Sequence, residues 1–288
     1  MNLIAGIVLV LGCVAGGFVL SHGQLGALWQ PYEVLIIMGA AIGAMVMGNP
    51  GKVLKKVGGN LGKLVKGSSY NKAMYLDLLS MILEILNKAR KEGMIKPEED
   101  VGKPDASPIF TKYPKICADH HVIEFITDYL RLMVDGVTEP LALESLMDVE
   151  LETHHEEGGL TAAVLTRRAD GLLGFGIVAA VLGIVITMAS LGGPPEALGH
   201  HVAAALVGTL LGILLAYGFV APMSTFLQHV ARDESQFYKC IKTCMVSSLQ
   251  GFSPAIAVEF GRKAILHSER PTYAEPEEHM KKGRCSES

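Results

Sequence analysis

The hydrophobic pattern is dominated by four stretches that contain no Asp, Glu, Lys or Arg, at residues 3–20, 34–47, 171–191 and 202–220. A bilayer core of about 30 Å requires about 20 helical residues. The third stretch has that length, the first and fourth nearly do, and Pro31, Tyr32 and Glu33 extend the second into the membrane interface. Four such stretches exceed what a buried soluble core shows, so the pattern predicts transmembrane helices over 3–20, 32–48, 171–191 and 202–222.

The remaining sequence is polar but also helical in pattern. Residues 71–93 are dense in helix formers and stop at Gly93, and a buried stripe through 116–133 stops at Gly136. We therefore predict an all-α integral membrane protein with four transmembrane helices and a large helical cytoplasmic region. Its parts are hairpin 1 at 1–48, a cytoplasmic helical domain at 49–170, hairpin 2 at 171–222, and C-terminal cytoplasmic helices with a tail at 223–288.

The positive charges predict the orientation of the spans. The linkers "SHGQLGALWQPYE" and "GGPPEALGHH" contain no Lys or Arg, whereas "GKVLKKVGGNLGKLVKG" contains five Lys and Arg167-Arg168 precede the third span. Since Lys and Arg are retained on the cytoplasmic side, both termini are predicted in the cytoplasm. The formal net charge of −4 argues against a nucleic-acid partner. Four of the five cysteines then face the reducing side, and Cys240 and Cys244 are interpreted as packing residues.

The motifs argue against an enzyme and against a resident metal or cofactor. A phosphate-binding loop and a Gly-x-Ser-x-Gly nucleophile motif are both absent from the sequence, and no predicted span contains a nucleophile with a base. The run "HHEE" at 154–157 cannot converge on one ion because successive helical residues point in different directions.

The spans supply small residues instead of charge. Glycines four residues apart occur at Gly12 and Gly16, at Gly39 and Gly43, and at Gly208 and Gly212, a spacing that allows close helix contact. An intramembrane ionisable group would mark an ion relay. The four uncharged stretches contain no Asp, Glu, Lys or Arg, so a chain that moves ions must obtain its ionisable carrier from a partner.

Several long blocks resemble the MotA family of flagellar motor stator subunits, within the MotA/TolQ/ExbB proton channel superfamily. They include "YLDLLSMILEILNKARKEGMIKPEED", "LMDVELETHHEE", "VGTLLGILLAYGFVAPM" and "AIAVEFGRKAILHSERP". The resemblance implies a multi-pass protein of the bacterial inner membrane, with five copies around two copies of MotB. MotB is a single-span protein anchored to peptidoglycan whose Asp carries the ion. This partner would supply the missing carboxylate.

The resemblance also assigns roles to individual residues. It places contact with the rotor protein FliG on Arg90 and Glu98, and, with weaker support, on Glu150. Ala180 stands where sodium-driven relatives have Thr, and Gly208-Thr209 stands where they have a Thr pair. Fewer hydroxyl oxygens favour protons as the transported ion, with Ala180 and Thr209 lining the path.

One position departs from the family pattern. Pro222 matches the family proline near the end of the fourth span, but Leu173 occupies the position of the other proline, near the start of the third. Because proline perturbs the preceding helical turn, we expect Leu173 to alter the coupling between ion passage and ring movement while assembly stays intact. Two alternatives are open: the helix bends at Gly171 and Gly174 instead, or the Leu173 form has impaired activity.

Two other functions remain open at this point. An ExbB-like or TolQ-like subunit that energises the outer membrane would also surround an Asp-bearing single-span partner, although such proteins usually have three spans. A membrane scaffold that passes no ions would also lack intramembrane charge.

Overall fold

The computed structural model describes residues 2–93, 97–136 and 139–285, and every regular element in these ranges is helical. The α-helices are α1 (Asn2–Leu20), α2 (Leu25–Leu28), α3 (Pro31–Met47), α4 (Gly51–Asn60), α5 (Lys63–Lys66), α6 (Lys72–Glu92), α7 (Pro97–Gly102), α8 (Pro114–Cys117), α9 (His120–Val134), α10 (Pro140–Ala189), α11 (Pro195–Ile213), α12 (Ala221–Leu249), α13 (Pro254–Ala264) and α14 (Glu275–Cys285). Short 3-10 turns occur at Pro104–Ala106 and Phe110–Lys112, and a π-helical stretch, Leu214–Val220, joins α11 to α12.

Four helical stretches are long and apolar enough to cross a membrane: Leu3–Leu20, Leu25–Met47, Pro140–Ala189 and Pro195–Leu249. They confirm the predicted fold class. The last two are longer than the predicted spans, because α10 joins the third span to the preceding polar helix and α11 begins at Pro195. Pro195 suits this start, since its fixed φ fits the first helical turn and its missing N–H costs no bond there.

The chain forms two compact units. The membrane unit contains Met1–Gly67 and Glu157–Val230, and the helical unit contains Ser68–Glu156 and Ala231–Ser288. Helices α10 and α12 each contribute residues to both units.

Glycine packing holds the third and fourth spans together inside the membrane unit. A Cβ placed on Gly212 of α11 would lie 2.6 Å from the Cα of Gly176 on α10, and one on Gly183 would lie 2.7 Å from the Cβ of Ala205. The two helices therefore pack backbone to backbone, which only small residues permit.

Only one of the three predicted glycine pairs takes part in packing within this chain. A Cβ on Gly208 or Gly212 would meet neighbouring atoms, whereas a Cβ on Gly12, Gly16, Gly39 or Gly43 would meet no atom within 4 Å among the described residues. The expectation of tight packing thus holds for α10 and α11, and the glycines of α1 and α3 leave open faces.

The helical unit has ordinary helix caps and a continuous apolar core. The Asn71 side chain accepts a hydrogen bond from the Met74 N–H at 3.0 Å, and Asp119 caps α9 through the Val122 N–H at 3.4 Å. Gly93 and Gly136 follow the ends of α6 and α9 with φ of 89° and 100°, as the sequence predicted. The residues of the predicted stripe are buried, apart from the partly buried Ile123.

Cys240 and Cys244 pack as predicted. Both are fully buried on α12, where Gly261 of α13 crosses so closely that a Cβ on it would clash with the Cys244 sulfur.

The α10–α11 contact leads to a stability prediction. Gly212→Ala should lower the melting temperature of the purified full-length protein in detergent, because overpacking of this kind costs about 1–3 kcal/mol. Gly174→Ala is the matched control, because a Cβ there meets no described atom within 4 Å. Equal melting temperatures for the two variants would contradict the backbone-to-backbone contact.

Candidate functional site

Of the two residues that the sequence assigned to the ion path, Ala180 borders a notch in the membrane unit, and Thr209 is the residue that follows the notch in sequence. The notch is formed at Gly208 of α11, where a Cβ would lie 3.3 Å from the Cβ of Ala179 and 3.4 Å from the backbone nitrogen of Ala180 on α10. Thr209 follows Gly208 and is half-buried. Its hydroxyl makes no hydrogen bond to any described residue, and this includes the backbone carbonyl groups of α11.

A carboxyl group occupies the same notch. Oε2 of Glu33, in the first turn of α3, lies 3.0 Å from the position of a Gly208 Cβ. Glu33 is only 8% exposed, and Oε2 has no hydrogen-bond partner among the described residues. The absence of a side chain at Gly208 is what lets the carboxyl group approach α11.

The structure adds helix–helix burial to the sequence interpretation of Glu33. We expected it in the membrane interface and concluded that the spans contain no ionisable group of their own. The structure buries it beside Ala180, the tenth residue of the predicted third span 171–191. The available signal was an acidic residue two positions after Pro31 in an otherwise uncharged helix.

Pro222 and Leu173, the two residues predicted to couple ion passage to movement, lie in different kinds of helical backbone. Pro222 is the second residue of α12, directly after the π-helical stretch Leu214–Val220. A proline has no N–H for the preceding turn and crowds its carbonyl, so a wider turn relieves the clash. Leu173 is half-buried within the uninterrupted α10, between the buried Leu172 and the exposed Gly174.

In the helical unit, an ion pair fixes the segment that contains the predicted rotor contacts. Nζ of Lys88 on α6 lies 2.6 Å from Oδ2 of Asp100 on α7, and the Ser107 hydroxyl donates to Oδ1 of Asp100 at 2.7 Å. Asp100 is only 4% exposed. Arg90 follows Lys88 by two residues and is exposed. Glu98 lies in α7 two residues before Asp100, and its side chain is outside the described residues.

Glu150 is held by a neighbouring helix. It is exposed on α10, and its Oε2 accepts a hydrogen bond from the Tyr129 hydroxyl of α9 at 2.5 Å. Burial and this carboxylate both raise the pKa of Tyr129, so the phenol stays protonated and remains a donor. Sequence reasoning missed this pair, because α9 and α10 meet only in the folded chain.

The histidines of "HHEE" have separate neighbours, as the helical geometry requires. His154 lies against the Tyr238 ring, with 4.5 Å between centroids, whereas Nδ1 of His155 is 3.0 Å from the Ser235 hydroxyl.

Comparison with known families and proteins matches nearly the whole chain. The motility protein A N-terminal family matches residues 4–93, and the MotA/TolQ/ExbB proton channel family matches residues 118–239. Motility protein A of Salmonella typhimurium and that of Escherichia coli are each 45% identical, over 98% of this chain and 95% of theirs. Chemotaxis protein LafT of Vibrio parahaemolyticus is 37% identical, over 97% of this chain and 98% of its own length.

Two solved structures share the fold. Campylobacter jejuni MotAB superposes with a TM-score of 0.77 at 20% identity, over 92% of this chain and 96% of that one. The flagellar MotAB stator complex of Bacillus subtilis superposes with a TM-score of 0.72 at 26% identity, over 89% and 92%.

The Lys88–Asp100 pair leads to a second prediction. Lys88→Met should lower the melting temperature of the purified protein, because it removes a cation from a buried carboxylate. Breaking a buried pair costs about 3–5 kcal/mol, and the partial exposure of Lys88 reduces this to roughly 2 kcal/mol.

The matched control is Lys91→Met, which removes an exposed lysine from the same helix. It should shift stability by less than about 0.5 kcal/mol. Equal effects of the two variants would show that the Lys88 pair does not fix α7.

Proposed function

This chain belongs to the MotA/TolQ/ExbB proton channel family and is a multi-pass stator subunit of the flagellar motor, and on that premise we propose that protons flowing through its complex with a MotB-type partner drive torque on FliG. The observation that carries the proposal is the 45% identity to two motility proteins A over 98% of this chain. The family is a channel family, so the chain is not an enzyme.

Two observations support a MotB-type partner. The structures that this chain resembles are both MotAB assemblies, one of them a flagellar stator complex. In addition, the glycines of α1 and α3 leave faces that no described residue of this chain covers closely, and such faces suit helix–helix contact. The proposed assembly has five copies around two partner chains.

Protons are the proposed ion because the notch offers few oxygen ligands. Hard cations such as sodium bind through several oxygens that replace hydration water. Ala180 and Gly208 contribute no side-chain oxygen there, and the side-chain oxygens shown at the notch are those of the Glu33 carboxyl group. A proton requires a carboxylate and a chain of water. No resident cofactor or metal is part of the proposal.

The proposed coupling is electrostatic. Protonation of the partner's aspartate removes a charge from a low-dielectric path, and the ring responds by moving around the fixed partner. One proton crossing about 100 mV releases roughly 2.3 kcal/mol. This energy suffices to bias a small conformational step. Pro222 and the π-helical stretch are the proposed site of that shift.

In this proposal, the helical unit transmits torque to the rotor protein FliG. Arg90 and Glu98 each lie two residues from a member of the Lys88–Asp100 pair, and Glu150 is exposed on α10. The proposed location is the bacterial inner membrane with both termini in the cytoplasm. An ExbB-like or TolQ-like role is less supported, because the close relatives are motility and chemotaxis proteins.

The motor assignment predicts the result of a swimming assay. Flagellated cells that lack their own stator should swim in sodium-free medium when supplied with this chain and a cognate MotB, and a protonophore should stop them. Swimming that depends on added sodium would overturn the proton assignment. Failure to swim despite membrane insertion and partner binding would overturn the motor assignment.

Leu173→Pro is tested in the same assay. The substitution removes the Leu173 N–H from the helical hydrogen bond to the Ala169 carbonyl and kinks α10 there. We expect assembly to persist and swimming speed to change. An unchanged speed would show that this position does not affect coupling.

Charge reversal tests the rotor surface. Arg90→Glu should reduce swimming while leaving membrane insertion and partner binding intact, because an exposed contact charge acts on the rotor rather than on folding. Lys115→Glu reverses an exposed lysine on α8 as the control. Equal swimming by the two variants would remove Arg90 from the contact.

A further inference from the structure

The carboxyl group of Glu33 has no structural explanation in the packing of the membrane unit. Helices α10 and α11 pack through small residues and α3 contributes the apolar Ile37 and Ala41, so a glutamine or an apolar side chain would fill the same volume. Glu33 is more than nine-tenths buried, and its Oε2 has no partner among the described residues. Buried polar atoms are normally paired, and acidic residues within membrane helices mark ion pathways.

Glu33 is the third residue of α3, and its carboxyl group meets α10 and α11 away from the outer ends of those two helices. Gly208 lies 13 residues after Pro195 at the start of α11, which is about 20 Å along the helix axis. Ala180 lies nine residues before Ala189 at the end of α10, which is about 14 Å. The notch is therefore away from both outer helix ends.

No charge from the neighbouring helices compensates an ionised Glu33. The α10 segment 171–189 and the short α2 contain no ionisable residue. On α11, Glu196, His200 and His201 lie at least seven residues from Gly208, which is about 10 Å along the axis. Tyr32 on α3 itself is exposed. Such a site holds the neutral acid and releases its proton only to an acceptor that reaches the notch.

We propose that Glu33 is a proton-binding residue of the ion path, contributed by this chain in addition to the partner's aspartate. A proton carried by a hydronium ion in the path bonds to the Glu33 carboxylate, leaving water. The neutral acid later returns the proton to the next water or carboxylate. This inference rests on the proposed proton-driven motor, and it adds a second titratable site beside Ala180 and Thr209.

The first test is the rotation speed of single motors at low load, as a function of external pH, in cells that express this chain with a cognate MotB. Glu33→Gln keeps the shape of the side chain but cannot bind and release a proton. It should lower the speed by about a hundredfold, the low end of what a positioned proton-transfer group contributes. It should also flatten the dependence on external pH. Assembly and melting temperature should stay at wild-type values.

Glu33→Asp keeps a titratable carboxyl group on a side chain one methylene shorter. Its speed should lie between those of the wild type and Glu33→Gln, and the midpoint of its pH profile should move. Gly208→Ala should resemble Glu33→Gln, because its Cβ would lie 3.0 Å from Oε2 and displace the carboxyl group.

Wild-type speed and pH dependence in Glu33→Gln would overturn the inference and leave the proton-driven motor intact. If Glu33→Gln fails to assemble, Glu33→Asp supplies the test. A wild-type midpoint in the dependence of its motor speed on external pH would overturn the inference. The protonophore assay on the unsubstituted chain tests the motor itself, so the two failures are distinguishable.

Discussion

The close packing of α10 against α11 is the contact on which the functional region depends. Gly176, Gly183 and Gly212 bring the two helices to backbone contact, and Gly208 continues this small-residue face. In lipid, such packing replaces the hydrophobic effect that drives soluble cores. Because the helices approach so closely, Ala180 lies against Gly208, and the space at Gly208 admits the carboxyl group of Glu33.

The same smooth surface explains the low polarity of residues 171–191. A helix that forms the wall of an ion path and moves relative to a partner gains from small, uniform side chains, because each step then exchanges contacts of similar energy. Larger interlocking side chains would hold one position more tightly. The π-helical turn before Pro222 adds a backbone feature of the kind that often occurs at functional sites.

Most of the fold followed from the sequence, because uncharged stretches of membrane length and helix-ending glycines are local signals. The stripe of α9 and the ends at Gly93 and Gly136 were predicted for that reason. The pairs Tyr129–Glu150 and Lys88–Asp100 were not, since they join different helices. The burial of Glu33 was not predicted either, because it arises from packing against Gly208, a residue far away in the sequence.

The central claim is that the ion path follows the notch where α10, α11 and Glu33 meet. A cryo-EM map of the complex between this chain and its single-span partner would test the claim most directly. We predict that the partner helix lies against the face that carries Ala180 and Thr209, with ordered water joining its carboxyl group to Glu33. Lipid density covering that face, with the partner helix on another surface, would contradict the claim.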